Sequence, residues 1–142
     1  MKTKNRTISL LIVLLIIVSI IPLSVQAAQK EPIVPMWTNL VSVGASITFS
    51  GTTGNVTVTF VGRTGVTNIT SDIRLYYKNT NGSWVEILKD WEYDVDQTSL
   101  TITESFTAVA GREYKIEVNG TVTKGGYAEP ISKTATATCP RP

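Results

Sequence analysis

The stretch ITSDIRLYYKNTNGSWVEI, residues 69–87, decides the fold. In its first half Ile69, Ser71, Ile73, Leu75 and Tyr77 alternate with polar or charged residues, which is the period of a half-buried β-strand. The tetrapeptide Asn-Thr-Asn-Gly at 79–82 predicts a tight turn, because Asn-Gly readily adopts positive φ. A second run of strand character extends from Trp84 to Val95, so the sequence predicts a β-hairpin here.

The same alternation recurs on both sides of this hairpin. Upstream and downstream it covers Val41–Phe49, Val56–Phe60, Leu100–Phe106, Tyr114–Val122 and Tyr127–Thr138. Seven strands at spacings of about 10 to 14 residues, with no helical period between them, predict an all-β chain folded as a seven-stranded antiparallel β-sandwich. A closed barrel is the alternative.

Two positions carry finer local predictions. Leu88 falls out of phase with the apolar residues of its strand, which indicates a bulge or a strand that changes sheets. Tyr114 follows a glycine-containing bend, Ala110-Gly111-Arg112-Glu113, at the start of the penultimate strand. This arrangement resembles the tyrosine corner of Greek-key sandwiches, so we expect the Tyr114 phenol to bond back to a carbonyl across the bend.

The N-terminus has the three parts of a secretory signal peptide. Three cations (Lys2, Lys4 and Arg6) precede an apolar run from Ile8 to Leu23, and Val25 and Ala27 occupy the small-residue positions of a cleavage site. The predicted organisation is a signal peptide helix over 1–27, a proline-containing leader over 28–37, a β-sandwich domain over 38–139 and a tail over 140–142. Secretion is expected; an uncleaved membrane anchor is the alternative.

Composition excludes several chemistries. The chain has no histidine and one cysteine, Cys139, so histidine-containing zinc sites, Cys–His dyads and Ser–His–Asp triads are ruled out. Residues 28–142 hold 10 Lys and Arg against 11 acidic residues, which implies no basic surface for nucleic acid. A small sandwich with short loops also offers little concavity for catalysis. We expect no enzyme activity, no cofactor and no metal.

Six stretches of sequence and one tryptophan together form a pattern that spans nearly the whole mature region. They are Pro35-Met36-Trp37-Thr38-Asn39, Ser50–Gly54, Leu75-Tyr76-Tyr77-Lys78, Asn81-Gly82-Ser83-Trp84, Gly111–Tyr114 and the Thr136–Cys139 ending, with Trp91. In this pattern the chain resembles small secreted single-domain proteins of Gram-positive bacteria. The resemblance implies export and an immunoglobulin-like or fibronectin III-like sandwich. It implies no activity, substrate or catalytic residue.

Aromatic residues are the candidates for a binding surface. Trp91 shares the phase of Ile87 and Val95 and is expected in the core. Trp37, Tyr76 and Trp84 are the candidates for a shallow exposed platform for an extracellular protein or glycan. The alternatives are a place in the core for Trp37 and Trp84 and a plain hydrated sheet face for Tyr76. The expected function is a non-catalytic extracellular binding or adhesion module. The alternative is a self-associating structural or matrix component of the cell surface.

Two further features bear on partners. Cys139 has no cysteine to pair with inside the chain, so it would give a covalent homodimer if exposed; a buried or reduced thiol is the alternative.

Four acidic residues alternate with apolar ones near the end of the second hairpin strand: Asp90, Glu92, Asp94 and Asp96. We interpret them as a hydrated row that keeps a strand edge soluble and is neutralised by Arg74 and Lys78 across the hairpin. A weak calcium site at Asp94 and Asp96 is the alternative.

Overall fold

The computed structural model describes residues 37–142, and the predicted signal peptide and all but the last residue of the leader lie outside the described residues. The described part consists of eight β-strands and contains no helix: β1 Leu40–Ser50, β2 Thr53–Gly62, β3 Val66–Lys78, β4 Trp84–Ile87, β5 Glu92–Val95, β6 Ser99–Thr107, β7 Glu113–Lys124 and β8 Tyr127–Thr138. The all-β prediction is confirmed.

The strands form two antiparallel sheets. The smaller sheet has the order β1-β2-β6, and the larger has the order β4-β3-β7-β8, with β5 also paired to β3. The apolar faces of both sheets contribute to one buried cluster, as in a β-sandwich. The two sheets share no strand, so the barrel alternative is not what forms.

Alternation of apolar and polar residues places the core between the sheets. Val56, Val58 and Phe60 of β2 are fully buried, as are Ile73 and Ile116 of the larger sheet. Phe49 and Phe106 of the smaller sheet contact the Tyr114 ring with centroid separations of 5.9 and 5.0 Å. Each fully buried apolar side chain of this size contributes about 1.5–3 kcal/mol, so this shared core holds the sheets together without a disulfide.

The structure has eight strands where the sequence predicts seven, because the Trp84–Val95 run is interrupted. β4 pairs Ile87 with Leu75, and β5 pairs Glu92 with Asp72, so residues 88–91 lie opposite only two residues of β3. The excess chain turns outward, leaving Leu88 89% exposed, while the Ile73 N–H donates to the Trp91 carbonyl at 3.1 Å. The irregularity expected at Leu88 is confirmed, but the strand does not change sheets.

The turn of the first hairpin is shorter than the gap between the two predicted strands, Val41–Phe49 and Val56–Phe60. The turn is only Gly51-Thr52, with Ser50 paired to Thr53, so the glycine-rich segment to Asn55 belongs mostly to β2. At the other end of β1, the register shifts between Leu40 and Ser42. This bulge buries Leu40 and leaves Val41 59% exposed, which corrects the expectation that Val41 shares the inner face.

The Tyr114 corner forms, with one change in its chemistry. The side chain is buried, and its phenol oxygen accepts a hydrogen bond of 2.8 Å from the Val109 N–H, five residues upstream. The predicted partner was a carbonyl. Because the strand before the bend has ended, the Val109 amide has no ladder partner, and the phenol supplies one.

A buried polar cluster ties the start of the domain to the β7–β8 hairpin. The Glu129 carboxyl oxygens accept from the Thr38 and Asn39 N–H groups at 2.6 and 2.8 Å. The Asn39 amide in turn donates to the carbonyls of Val122 and Tyr127 at 2.8 and 3.1 Å. We call these five residues the Glu129 knot. It satisfies buried polar groups at a place where the chain enters β1.

Candidate functional site

The outer face of the larger sheet carries an aromatic cluster built around one lysine. Tyr76 lies opposite Lys115 on neighbouring strands β3 and β7, and Trp84 lies on β4 beyond them. The Lys115 Nζ is 4.5 Å from the Tyr76 ring centroid and 5.0 Å from the Trp84 ring centroid. Both distances suit cation–π attraction. We call Tyr76, Trp84, Lys115 and Glu117 the outer cluster.

Charge pairing fixes the lysine between the rings. Lys115 Nζ donates to Glu117 Oε1 at 2.5 Å, and the Lys115 side chain is only 16% exposed. This hydrogen bond lowers the pKa of Glu117, although partial burial opposes the shift. Loss of hydration, and then the nearby Glu117 carboxylate, raises the pKa of Tyr76. The outer cluster therefore presents two neutral rings, a held ammonium and a carboxylate on one open face.

Cations surround the outer cluster, and each has its own acidic partner. Lys78 Nζ lies 5.4 Å from the Trp84 ring centroid and 2.8 Å from Glu113 Oε2. Arg74 Nε lies 3.2 Å from Asp72 Oδ2, and this hydrogen bond raises the pKa of Arg74. Arg74 and Lys78 are thus occupied by acids of β3 and β7, which corrects the expectation that they neutralise the Asp90–Asp96 row.

Trp37 does not join the other two platform residues. It packs, half-buried, against the core beside the Glu129 knot, whose Asn39 amide contacts the Val122 carbonyl of β7. Tyr76 lies opposite Lys115, seven residues from Val122 along the same strand. At a rise of about 3.3 Å per residue, the two regions are about 23 Å apart. The structure therefore brings Tyr76 and Trp84 together and excludes Trp37.

Two other aromatic residues, Trp91 and Tyr93, lie in the core and between the two sheets. Trp91 is 6% exposed within the core, which confirms its predicted place. Tyr93, on β5, donates its phenolic proton to Glu104 on β6 of the smaller sheet. This bond, with loss of hydration, raises the pKa of Tyr93 to about 12. The sequence did not indicate this link, because nothing local to either strand shows that β5 and β6 meet.

The acidic row lies along the edge formed by β4 and β5. Asp90, Glu92, Asp94 and Asp96 are all exposed, as expected for hydrated carboxylates. The Asn68 amide donates to Asp94 Oδ1 at 2.7 Å and to Asp96 Oδ1 at 3.1 Å, so it occupies the position in which the alternative hypothesis placed calcium. Within residues 37–142 no group of three or more acidic or cysteine side chains is placed to hold a metal ion.

An open depression of about 460 Å³ lies beside this row, over β5, β3 and β7. Asp72, Glu92 and Asp94 line it on one side, and Asn119 and Thr121 line it on the other. The Thr70 and Thr121 hydroxyls bond to each other across its floor at 2.9 Å. This surface is open, and two of its carboxyl residues, Asp72 and Glu92, lie opposite each other on neighbouring strands.

The Cys139 thiol is fully buried at the end of β8. Its Sγ lies 3.6 Å from the Gly51 carbonyl oxygen, and its backbone bonds to Gly111 and Arg112 within the bend before β7. The expectation of an exposed thiol is therefore wrong, and the buried alternative is observed. A disulfide-linked homodimer would require the last residues to detach from the domain.

Comparisons with known proteins give no match: no family model, no curated protein and no solved structure is significantly similar to this chain. In the part of the chain that the structure describes, no helix is long and apolar enough to cross a membrane. The fold and the outer cluster are therefore the features of this chain that bear on its function.

Proposed function

We propose that the protein is exported and works as a non-catalytic extracellular binding module that uses the outer face of its larger sheet. The observation that carries this proposal is the outer cluster, in which two partly exposed rings flank one lysine on an open sheet face. A half-exposed tryptophan and tyrosine on a flat surface are the residues most enriched in the centres of binding interfaces.

The finer class of the fold belongs to the same proposal. The sheet orders β1-β2-β6 and β4-β3-β7-β8, with a tyrosine corner at the start of β7, support an immunoglobulin-like or fibronectin III-like sandwich. Modules of this architecture bind through surfaces and loops of a rigid scaffold. The rigid ladder beneath Tyr76 and Lys115 lowers the entropic cost of presenting the two rings.

The chemistry of the outer cluster supports a ligand with both an apolar face and an acidic group. A sugar ring or an aliphatic side chain can stack on Tyr76 or Trp84, and an acidic group can exchange with Glu117 for the Lys115 ammonium. An extracellular glycan or protein meets both requirements. The absence of a basic excess over residues 28–142 gives no support to a nucleic acid.

The test is a glycan and protein array probed with the exported form of the protein and with two variants. We expect Tyr76→Ser/Trp84→Ser to lose the signals that the wild type gives, because it removes both rings from the outer face. Tyr127→Ser is the matched control, since Tyr127 is a 59% exposed tyrosine far from the outer cluster. A signal unchanged in the double variant, or equally lost in the control, would contradict the proposal.

A further inference from the structure

The free edge of β8 differs from the other edges of this fold. β8 ends the larger sheet, and its twelve residues pair with β7 in one unbroken register from Tyr127 to Thr138. Ser132, Thr134, Thr136 and Thr138 are all exposed, and Lys133 is the only charged residue in the segment 132–138. An edge that is long, regular and nearly uncharged is a template for pairing with another strand.

The direction of the backbone groups along β8 follows from two residues. Cys139 donates its N–H to Arg112 and accepts from Gly111 through its carbonyl, so both of its backbone groups face the β7 side. Neighbouring residues of a strand face opposite sides. The even-numbered residues therefore direct their N–H and C=O groups outward, and Pro130, which has no N–H, lies in this outward set as expected for an edge.

Each of the other three edges carries a feature that hinders pairing. The β4/β5 edge is broken at residues 88–91 and carries the acidic row. β1 has a bulge between Leu40 and Ser42 and contains Gly44. β6 is shorter than β8, with nine residues against twelve, and contains Glu104. Bulges, chain breaks and charges are usual means of protecting edges, and between Ser132 and Thr138 β8 has only one of them, the single charge of Lys133.

We propose that β8 pairs antiparallel with β8 of a second copy of this chain, about a two-fold axis at Ala135. The even-numbered residues, whose backbone groups point outward, then form the hydrogen-bonded pairs. Thr134 pairs with Thr136 of the second copy, and Ser132 pairs with Thr138. Lys133 faces Ala137, whereas shifting the register by four residues in one direction, which moves the two-fold axis to Lys133, places Lys133 opposite itself. A second copy suits this edge because it is self-complementary and adds no like-charge contact.

The pairing would join the two larger sheets into one continuous sheet. A two-fold axis perpendicular to that sheet leaves both outer faces on the same side. If the outer cluster binds as proposed above, each dimer presents two such clusters to one surface, and a repeated ligand gains affinity by being held twice. The contact involves one strand from each copy, so we expect a weak dimer that depends on concentration.

The experiment measures the mass of the exported protein by sedimentation, from micromolar to millimolar concentration and with a reductant present. We expect the wild type to shift from monomer to dimer. Thr134→Lys/Thr136→Lys places lysine opposite lysine in both central pairs and should weaken the dimer by about tenfold. Thr134→Lys/Thr136→Glu places lysine opposite glutamate and should restore it. Ser46→Lys/Thr48→Lys, on the competing edge strand β1, is the matched control.

Amide hydrogen exchange tests the same pairing without a substitution. As the wild-type concentration rises, exchange at Thr134 and Thr136 should slow, while exchange in the turn residues Thr80 and Asn81 should not change. A wild type that is monomeric at millimolar concentration would overturn the proposal. So would a dimer that survives Thr134→Lys/Thr136→Lys, one that Thr134→Lys/Thr136→Glu fails to restore, or one that only the β1 control weakens. None of these results depends on whether the outer cluster binds a ligand.

Discussion

The Glu129 knot and the outer cluster are both polar clusters of the larger sheet, and they lie on opposite sides of it. Glu129 is 8% exposed, and both of its carboxyl oxygens accept from backbone N–H groups of the entering chain. Glu117 is 37% exposed, and its partner is a lysine side chain rather than the backbone. The first cluster satisfies backbone groups that folding buries, whereas the second pairs a largely covered lysine with a carboxylate that water still reaches.

This difference separates residues that stabilise the fold from residues that remain available to a ligand. A buried N–H that loses its acceptor costs free energy on every folding event, so the Glu129 knot is constrained by the fold. An exposed ion pair contributes little to folding, and its side chains can exchange partners without unfolding the sheet. The outer cluster is therefore the place where a ligand can act, and the Glu129 knot is the place where substitution should be most damaging.

The largest expected effect is that of Glu129→Ala, which removes the acceptor of two backbone N–H groups. Asn39 is buried, so its N–H would find no water. We expect a loss of about 2–3 kcal/mol in the free energy of unfolding, measured by denaturant titration. Glu92→Ala is the control, because Glu92 is an exposed glutamate on the opposite edge of the same sheet.

Equal effects of Glu129→Ala and Glu92→Ala would show that the contrast between buried and exposed clusters is wrong. Glu129→Gln sharpens the same test. The amide keeps one acceptor oxygen but turns an N–H₂ group towards a backbone donor, so we expect a loss smaller than that of the alanine variant but larger than that of Glu92→Ala.

Tyr114→Phe should have an intermediate effect of about 1–2 kcal/mol on the free energy of unfolding. The ring and its contacts with Phe49 and Phe106 remain, and only the acceptor of the Val109 N–H is lost. Denaturant midpoints of the variant and the wild type give the value. Tyr76→Phe removes a partly exposed phenol on the outer face and should change the midpoint much less; a comparable shift in both would mean that the corner bond is not what stabilises Tyr114.

The sequence predicted the parts of the structure that depend on near neighbours. Alternation alone placed Ile73 and Val58 inside, the Asn-Gly turn set the β3–β4 hairpin, and a glycine bend before a tyrosine indicated the Tyr114 corner. The phase of Leu88 indicated an irregularity there, but the sequence did not show that the strand ends and a new one begins, because the odd-numbered phase of Ile87 resumes at Trp91. Only the register with β3 shows that two residues are in excess.

The candidate site depends on pairings that lie far apart in the chain. Tyr76 and Trp84 are hairpin neighbours and were predicted to be exposed, but Lys115 joins them only because β7 pairs with β3. Trp37 was grouped with them by residue type, and the position of Asn39 against β7 places it elsewhere. The alternation of Glu129 with buried Ile131 was the available signal for the Glu129 knot, since a glutamate in an inward phase needs buried donors.

The smallest expected effect is that of Lys115→Met, which keeps the apolar stem over Tyr76 and Trp84 but removes the ammonium. Because Glu117 is more than one-third exposed, we expect a loss below about 1 kcal/mol at neutral pH.

The hydrogen bond from Lys115 holds the folded-state pKa of Glu117 below its unfolded value of 4.5. A lowered folded-state pKa contributes stability that is present above pH 4.5 and is lost as the pH falls through the folded-state value. The difference in unfolding free energy between wild type and Lys115→Met should therefore shrink in acid, which denaturant titrations on both sides of pH 4.5 can measure. Lys133→Met, which removes an exposed lysine of β8, should show no such convergence. A difference that stays constant with pH would mean that Lys115 stabilises the fold through its ring contacts alone. A large loss at neutral pH would mean that the outer cluster, like the Glu129 knot, serves to stabilise the fold.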